Sequence, residues 1–527
     1  MVITLSLLLA CGDPAPENNQ TATPTMDPAT LLTRASLDLR HRRPSPDELD
    51  AVEADPALLS GMIDDFMQDP GFAAGMIDRY SVFYRTLIDE FPIGAYDYGL
   101  DDEAAFSAAV GQEPLRLIAD IAVNDLPWTE LVRADWTMSN ELLGSIWPLD
   151  YPEGSSGWQR AHYTDGRPKA GVLSTNAFWW RYETSRTNKS RGRANAISRV
   201  LLCEDYLNRS ISFDRSVDLS DPEVTEHATR ENPGCVSCHS SLDPLGSFLG
   251  GFYFPRKSGE PEMTWYHPER VNIWRWQTGV PPGYFGQPGE DMQDLARFIA
   301  DDPDFVTCAV EQNWETLLGR PAVLEDIPAL NRHREAFLAG GLTARALIRS
   351  IVSDEAYGPG PSDDPRLITL KMVTPAILAD EVEALTGFRM ASGGYDMLST
   401  DLVGLRVLAG GTDGQYVTVP SDRPTATTVM VQERLAQAAA YHLIEYERAH
   451  PSAPRLLTVN PDETPTAEAL DAQIADLHRR VLSRRATDEE LAELADLYAE
   501  VSALAGPAAG WQSVLTVLMR DPSFILY

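Results

Sequence analysis

One short motif constrains this chain more than any other feature: Cys235-Val-Ser-Cys238-His239. Two thiols one helical turn apart can add to the two vinyl groups of one porphyrin, and the histidine that follows can turn beneath the ring to bind its iron. With 5 Cys and 9 His in the chain, chance produces this motif in roughly one chain in a thousand of such composition. We therefore expect one covalent haem c, attached through Cys235 and Cys238, with His239 as the proximal iron ligand.

The motif is also compatible with three roles that involve no haem. A Cys-x-x-Cys pair can be a redox-active dithiol, a surface disulfide or half of a zinc site. The zinc site is the weakest of these, because the sequence holds no second Cys-x-x-Cys and no His-x₃-His that would complete four ligands.

The N-terminus resembles an export signal. Residues 1–10 are apolar and lead into Leu8-Leu9-Ala10-Cys11, which is similar to a bacterial lipobox, although no Lys or Arg precedes the apolar run. We expect a lipoprotein signal peptide at 1–10 and a diacylated Cys11; a plain export signal and a buried N-terminal strand are the alternatives. Residues 11–30 contain too little apolar surface to fold and predict a flexible tether.

Export also agrees with the motif, because haem is attached to Cys-x-x-Cys-His after export. Both signals predict a membrane-anchored lipoprotein of the periplasm or cell surface. Once Cys11 and the motif cysteines are assigned, Cys203 and Cys308 remain. Spare thiols in an oxidising compartment tend to pair, so we expect a Cys203–Cys308 disulfide; two buried free thiols are the alternative.

The net charge of −35 limits the partners. An acidic surface repels nucleic acid and anionic membranes, so we expect no nucleic-acid partner. After the N-terminal segment, no apolar stretch reaches the roughly 18 residues of a membrane-spanning helix. The sequence identifies neither a redox partner nor an oligomeric state.

A helical unit recurs along the chain. Ser45-Pro46-Asp47-Glu48 combines an N-cap Ser, Pro at the first helical position and a Glu that can complete a capping box. Similar units begin at Gly319-Arg320-Pro321 and Arg484-Arg485, and each predicts a basic turn, two helices, and then an acidic turn with an aromatic residue. We expect a mainly α fold with several helical hairpins around a loop-rich haem-binding segment. The predicted domains are a signal peptide (1–10), a tether (11–30), an N-terminal helical domain (31–145), a haem-bearing domain (146–289), a following helical domain (290–360) and a C-terminal helical domain (361–527).

Two segments flank the motif. Six basic residues crowd into 181–199, where they could bind the haem propionates; the alternative is a basic helix face that pairs with Asp and Glu elsewhere. The loop-rich segment 247–290 is aromatic, which favours packing in the core or around the haem, with a sugar-stacking platform as the alternative.

The motif lies in a longer block, His227 to Gly246, with Asn232-Pro233 before it and Leu242-Asp243-Pro244-Leu245-Gly246 after it. This block closely resembles the planctomycete-type cytochrome c proteins, which are large exported bacterial proteins assembled from several domains of unknown function. The resemblance covers roughly residues 31–357 and departs from the family at 248–251. Other matching pieces are Leu37–Arg40, Pro44–Glu48, Ala134–Glu141, Gly171–Leu173, Leu201–Cys203, Phe305–Cys308 and Leu317–Pro321.

The sixth iron ligand is open. His227 is favoured because it lies in the best-matching block; an open or water-bound iron comes next, and a helix-capping or surface role is the alternative for His227. Met263, His267 and Met292 are the other candidates. A Met ligand would raise the reduction potential relative to two His ligands.

Three functions remain. The first is a lipid-anchored monohaem cytochrome that transfers single electrons. The second is an enzyme that uses the haem for peroxide or oxygen chemistry, which requires an open distal face. The third is a non-catalytic lipoprotein that binds polysaccharide or partner proteins, in which the haem only stabilises the structure. Whether the protein is an enzyme is left uncertain.

Overall fold

The computed structural model describes residues 26–210, 217–218, 220–252, 261, 265–358 and 370–527. About 60% of the chain is helical, with 22 helices and only short strands in the part described, so the mainly α prediction is confirmed. The signal peptide, Cys11, most of the tether and Met263 lie outside the described residues. Among the helices of the described ranges, none is long and apolar enough to cross a membrane.

The N-terminal part is helical, as the capping signals predict. Ser45 and Glu48 form the expected capping box at the start of the second helix. The first and fourth helices pack closely because Gly75 has no side chain: a Cβ there would lie 3.0 Å from the carbonyl oxygen of Leu39. The elements are α1 (Pro28–Arg40), α2 (Pro46–Ala54), α3 (Leu59–Phe66), α4 (Gly71–Tyr84), α5 (Glu103–Val123), α6 (Glu130–Arg133), β1 (Thr137–Ser139) and α7 (Glu141–Ile146).

The segment around the motif has longer connections and shorter helices. The apolar run before the basic segment is buried, with Phe178, Trp179 and Trp180 all in the interior. β1 pairs with β2 antiparallel. The elements are β2 (Gln159–Ala161), α8 (Asn176–Arg181), α9 (Arg191–Leu202), α10 (Pro222–Glu231), α11 (Pro233–Ser247), α12 (Trp274–Gln277), β3 (Gly283–Tyr284) and β4 (Gln287–Pro288).

Longer helices return in the rest of the chain. The helix that begins at Pro375 is capped by Thr374, and Lys371, just before it, forms a backbone bridge with Tyr527. The elements are α13 (Met292–Asp301), α14 (Pro303–Leu318), α15 (Ile327–Ala339), α16 (Ala344–Val352), α17 (Pro375–Thr386), β5 (Ala391–Ser392), β6 (Tyr395–Asp396), α18 (Ala426–Ala449), α19 (Ala467–Leu482), α20 (Asp488–Ala505), α21 (Pro507–Arg520) and α22 (Pro522–Ile525).

The repeated units are visible in the fold. α15 packs on α16 and α20 packs on α21, so the hairpins predicted there are confirmed; in the first copy, α2, α3 and α4 all pack on α1, and α4 packs most extensively on α5. In each unit the basic turn binds a carboxylate ahead of or within the next helix. These ion pairs are Arg40–Glu48, Arg320–Asp326 and Arg484–Glu490.

Two large apolar cores fill the described part of the molecule, and a smaller third core lies around α5, α7 and α8. One large core joins residues from α1 to Tyr357, so the N-terminal helices, the motif segment and α13–α16 share it. The other large core is built mainly from α17–α22. The domain boundaries within 31–360 stay predictions.

A disulfide and a buried hydrogen-bond cluster join segments that are distant in sequence. Cys203 and Cys308 form the predicted disulfide, with an S–S distance of 2.13 Å, which links the end of α9 to α14. The buried carboxylate of Asp38 accepts hydrogen bonds from Tyr357, Tyr527 and Lys371, which connects α1 to the C-terminal core. Burial acts to raise the pKa of Asp38, but the charges of Lys371 and Arg34, together with the hydrogen bonds from Lys371 and Tyr357, outweigh it and hold the pKa below its ordinary value.

Candidate haem-attachment site

The motif occupies the start of α11. Asn232 caps this helix by accepting a hydrogen bond from the backbone N–H of Gly234, and Pro233 takes the first helical position. These residues fix where the helix begins, so the motif falls in its first turns. Because an α-helix has 3.6 residues per turn, positions 235, 238 and 239 lie on one side of it.

The two motif cysteines are free and partly buried. Cys238 packs at the edge of the larger core. No disulfide joins them, so each thiol remains available for a bond to another group. No cluster of three or more His, Cys, Asp or Glu side chains that could hold a metal ion occurs in the described ranges, so a zinc site gains no further ligand there.

His239 is oriented by a carboxylate. Its Nδ1 lies 3.2 Å from Oδ1 of Asp243, one turn further along α11. Its Nε2 has no hydrogen-bond partner among the residues that the structure describes, and the side chain is 24% exposed. With Nδ1 engaged, Nε2 is the atom that can bind a metal.

Asp243 is held from a second direction. Arg191, at the start of α9, donates from Nε and Nη2 to the two carboxylate oxygens at 2.6 and 2.9 Å. The Asp243 side chain is only 5% exposed. Burial acts to raise the pKa of Asp243, but the hydrogen bonds and charges of His239 and Arg191 outweigh it and hold the pKa below its ordinary value.

A tight turn places Arg191. Lys189 and Ser190, just before α9, both have left-handed backbones with φ of 53° and 64°. This turn touches α11 at Gly246, where a Cβ would lie 3.3 Å from the carbonyl oxygen of Lys189. Gly246 therefore allows the turn to approach α11 one helical turn after Asp243.

The donor set fits a haem c. It provides two free thiols, a histidine with one ring nitrogen engaged and the other without a described partner, and a common helix face. The surrounding aromatic residues divide into two groups. Phe248, Phe252 and Tyr284 are buried in the core, whereas Trp265 and Trp276 are 51% and 89% exposed. Core packing is thus found for the first group, and the exposed tryptophans keep the sugar-stacking alternative open.

The other candidate iron ligands lie in different surroundings. His227 is on α10, which packs against α11, but its side chain is 71% exposed and contacts Glu231 at 3.2 Å. His267 contacts Glu269. Met292 is buried at the start of α13. None of these contacts selects a sixth ligand.

Most of the basic residues in 181–199 bind protein groups. Arg193 is buried and donates to three backbone carbonyls, and Lys189 binds Glu226. Arg181 and Arg199 also donate to carbonyl oxygens of other segments. These contacts favour a structural role over a propionate cradle, although the partners are backbone carbonyls more often than Asp or Glu.

Sequence reasoning missed the buried acid Glu113 and the ion pair that supports the motif histidine. Glu113 on α5 accepts hydrogen bonds from Thr137, Tyr163 and the backbone N–H of Ala177. Burial nevertheless raises the pKa of Glu113 to about 7. No sequence signal distinguishes it among 78 acidic residues. The missed ion pair is that of Asp243 with Arg191, whereas the i, i+4 spacing of His239 and Asp243 was a usable signal for their contact.

Comparison of the chain with protein-family models, with curated proteins and with solved structures finds no match.

Proposed function

We propose that this protein is an exported, lipid-anchored monohaem c-type cytochrome that transfers single electrons in the periplasm or at the outer membrane. One observation carries the proposal: Cys235, Cys238 and His239 lie together at the start of α11, with both thiols free and the Nε2 of His239 without a described partner. The resemblance of residues 227–246 to the planctomycete-type cytochrome c proteins supports it, and we propose that the chain belongs to that group.

Each motif residue has a defined role in this proposal. Cys235 and Cys238 would hold the porphyrin through thioether bonds, and His239 would bind the iron through Nε2. When bound, the haem supplies a one-electron ferric/ferrous couple. Leu245 in the later part of α11 and Phe248 just after it are buried in the core, and they give the motif an apolar support on the protein side.

The test uses the full chain, expressed with a c-type maturation system and titrated by spectroelectrochemistry. A single reversible one-electron couple, with no binding of carbon monoxide to the ferrous form or cyanide to the ferric form, is the expected result. Ligand binding together with peroxide turnover would replace this function with the haem enzyme. Absence of haem, with polysaccharide binding through the exposed tryptophans, would replace it with the binding lipoprotein.

The sixth ligand is tested by His227→Ala. If His227 binds the iron, the variant changes from a six-coordinate to a five-coordinate spectrum. His450→Ala is the matched control, because His450 is also exposed and contacts its own helix through Tyr446. An unchanged His227→Ala spectrum would remove His227 from the ligand set and leave the motif assignment intact.

The anchor is tested by Cys11→Ser. The wild-type protein is expected in the membrane fraction and the variant in the soluble exported fraction. Equal membrane association of the two proteins would contradict lipidation at Cys11.

A further inference from the structure

We propose that Asp243 and Arg191 are positioning residues that fix the ring of His239 and set how strongly its Nε2 binds iron. The inference rests on the proposed function and deepens it. It assigns a role to two residues outside the motif: Asp243 fixes the tautomer, with the proton on Nδ1, and Arg191 fixes Asp243.

A comparison within the molecule separates this contact from an ordinary helix-surface pair. His227 and Glu231 have the same i, i+4 spacing and the same 3.2 Å separation as His239 and Asp243. Both members of the first pair are about 70% exposed, whereas the Asp243 side chain is 5% exposed. An exposed pair of this kind contributes little to stability.

Burial gives the Asp243 contact a different character. A buried carboxylate is costly unless its oxygens are bound, and Arg191 binds both of them in the planar, two-pronged geometry that guanidinium groups favour. The carboxylate therefore has one fixed position relative to His239.

The turn before α9 supplies the second constraint. Left-handed backbones at non-glycine residues are costly, and two in succession precede Arg191. The hydroxyl of Thr184 accepts a hydrogen bond from the N–H of Ser190, and the side chain of Asn188 accepts one from the N–H of Gly192. These bonds hold the strained turn against Gly246 and so aim Arg191 at Asp243.

The chemical consequence follows from the hydrogen bond. A histidine that donates its second ring N–H to a carboxylate is a more basic metal ligand. A more basic ligand stabilises ferric over ferrous iron, so this contact lowers the reduction potential. Arg191 moderates the effect, because its positive charge partly offsets the negative charge of Asp243.

The test measures the midpoint potential of the haem-loaded full chain for wild type, Asp243→Asn and a charge control, Glu204→Gln. Glu204 lies just after α9, the helix that begins at Arg191 and packs on α11; its side chain is half-exposed and binds Arg209. The control thus removes one negative charge at the far end of α9 without touching His239. We expect Asp243→Asn to raise the potential, and by more than Glu204→Gln does.

The outcomes separate the two proposals. Wild-type protein without covalent haem would refute the proposed function, and this inference with it. Haem in the wild type, with equal shifts in Asp243→Asn and Glu204→Gln, would refute only the positioning role. If Asp243→Asn does not accumulate as a folded haem protein, Asp243→Glu is measured instead. It keeps the charge but moves the carboxylate by one methylene, so an altered potential supports the assignment and an unchanged one overturns it.

Discussion

At the scale of single residues, Glu113 is a buried acid whose charge the fold disfavours. Its pKa is about 7 in the folded protein, against an ordinary value of 4.5. The folded state therefore binds more protons than the unfolded state between these pH values, and the stability that this group contributes is lost as the pH rises through that window. The shift corresponds to about 3 kcal/mol in the free energy of unfolding.

The free energies of unfolding of wild type and Glu113→Gln are compared by denaturant unfolding from pH 4.5 to 7. The wild type is expected to lose stability relative to the variant as the pH rises, because the variant cannot ionise at this position. Glu500→Gln, at an exposed site on α20, should track the wild type. A difference between wild type and Glu113→Gln that does not change with pH would contradict the assigned pKa.

The motif residues were predictable from sequence, whereas their support was not. Spacing alone places Cys235, Cys238 and His239 on one helix face. The partner of Asp243 is Arg191, more than fifty residues earlier, and only the packing of α9 on α11 brings them together. Glu113 could not be found in advance because its pKa depends on three-dimensional burial.

At the scale of elements, Gly246 controls the approach of the α9 turn to α11. A methyl group there would lie 3.3–3.4 Å from the backbone of Lys189 and Ser190. We expect Gly246→Ala to lower the free energy of unfolding by roughly 1 kcal/mol, since crowding against the strained turn exceeds the gain in helix propensity.

The control is the same substitution at Gly61 in α3, where a Cβ would meet no atom within 4 Å. Gly61→Ala should stabilise the protein by up to about 1 kcal/mol, the ordinary propensity gain. Both variants are measured by urea unfolding. Equal stabilisation by the two substitutions would show that the turn does not press on α11.

Helices were the most predictable elements because their caps and apolar stripes are local signals. The capping boxes at Ser45 and Thr487 are formed as their sequences indicate. The first repeat was harder, because its helices pack on α1 rather than pairing as a hairpin. The backbone bridge between Lys371 and Tyr527 was not predictable from local signals, because it joins residues far apart in sequence.

At the scale of the whole molecule, the Asp38 cluster ties the two cores together. Its carboxylate is buried beneath Lys371, Tyr357 and Tyr527. Removing the charge leaves Lys371 buried without its partner. We expect Asp38→Asn to lower the free energy of unfolding by about 3 to 5 kcal/mol, the usual effect of breaking a buried ion pair.

This prediction is checked by denaturant unfolding beside Asp65→Asn, at an exposed site of α3. The control is expected to differ from wild type by no more than about 0.5 kcal/mol. If Asp38→Asn proves as stable as the control, the cluster does not stabilise the contact between the two large cores. The disulfide between Cys203 and Cys308 was predictable from the cysteine count and the expected compartment. In contrast, no local sequence pattern at Asp38 predicts its distant partners.

The most direct test of the central claim is a pyridine haemochrome spectrum of the full chain expressed with a c-type maturation system, beside the Cys235→Ala/Cys238→Ala variant. We predict a c-type band that survives denaturation of the wild type and is absent from the variant. A folded wild-type protein without such a band would contradict the proposed function. The cysteines at the start of α11 would then be thiols of a helical lipoprotein that binds other molecules, and no electron-transfer role would remain.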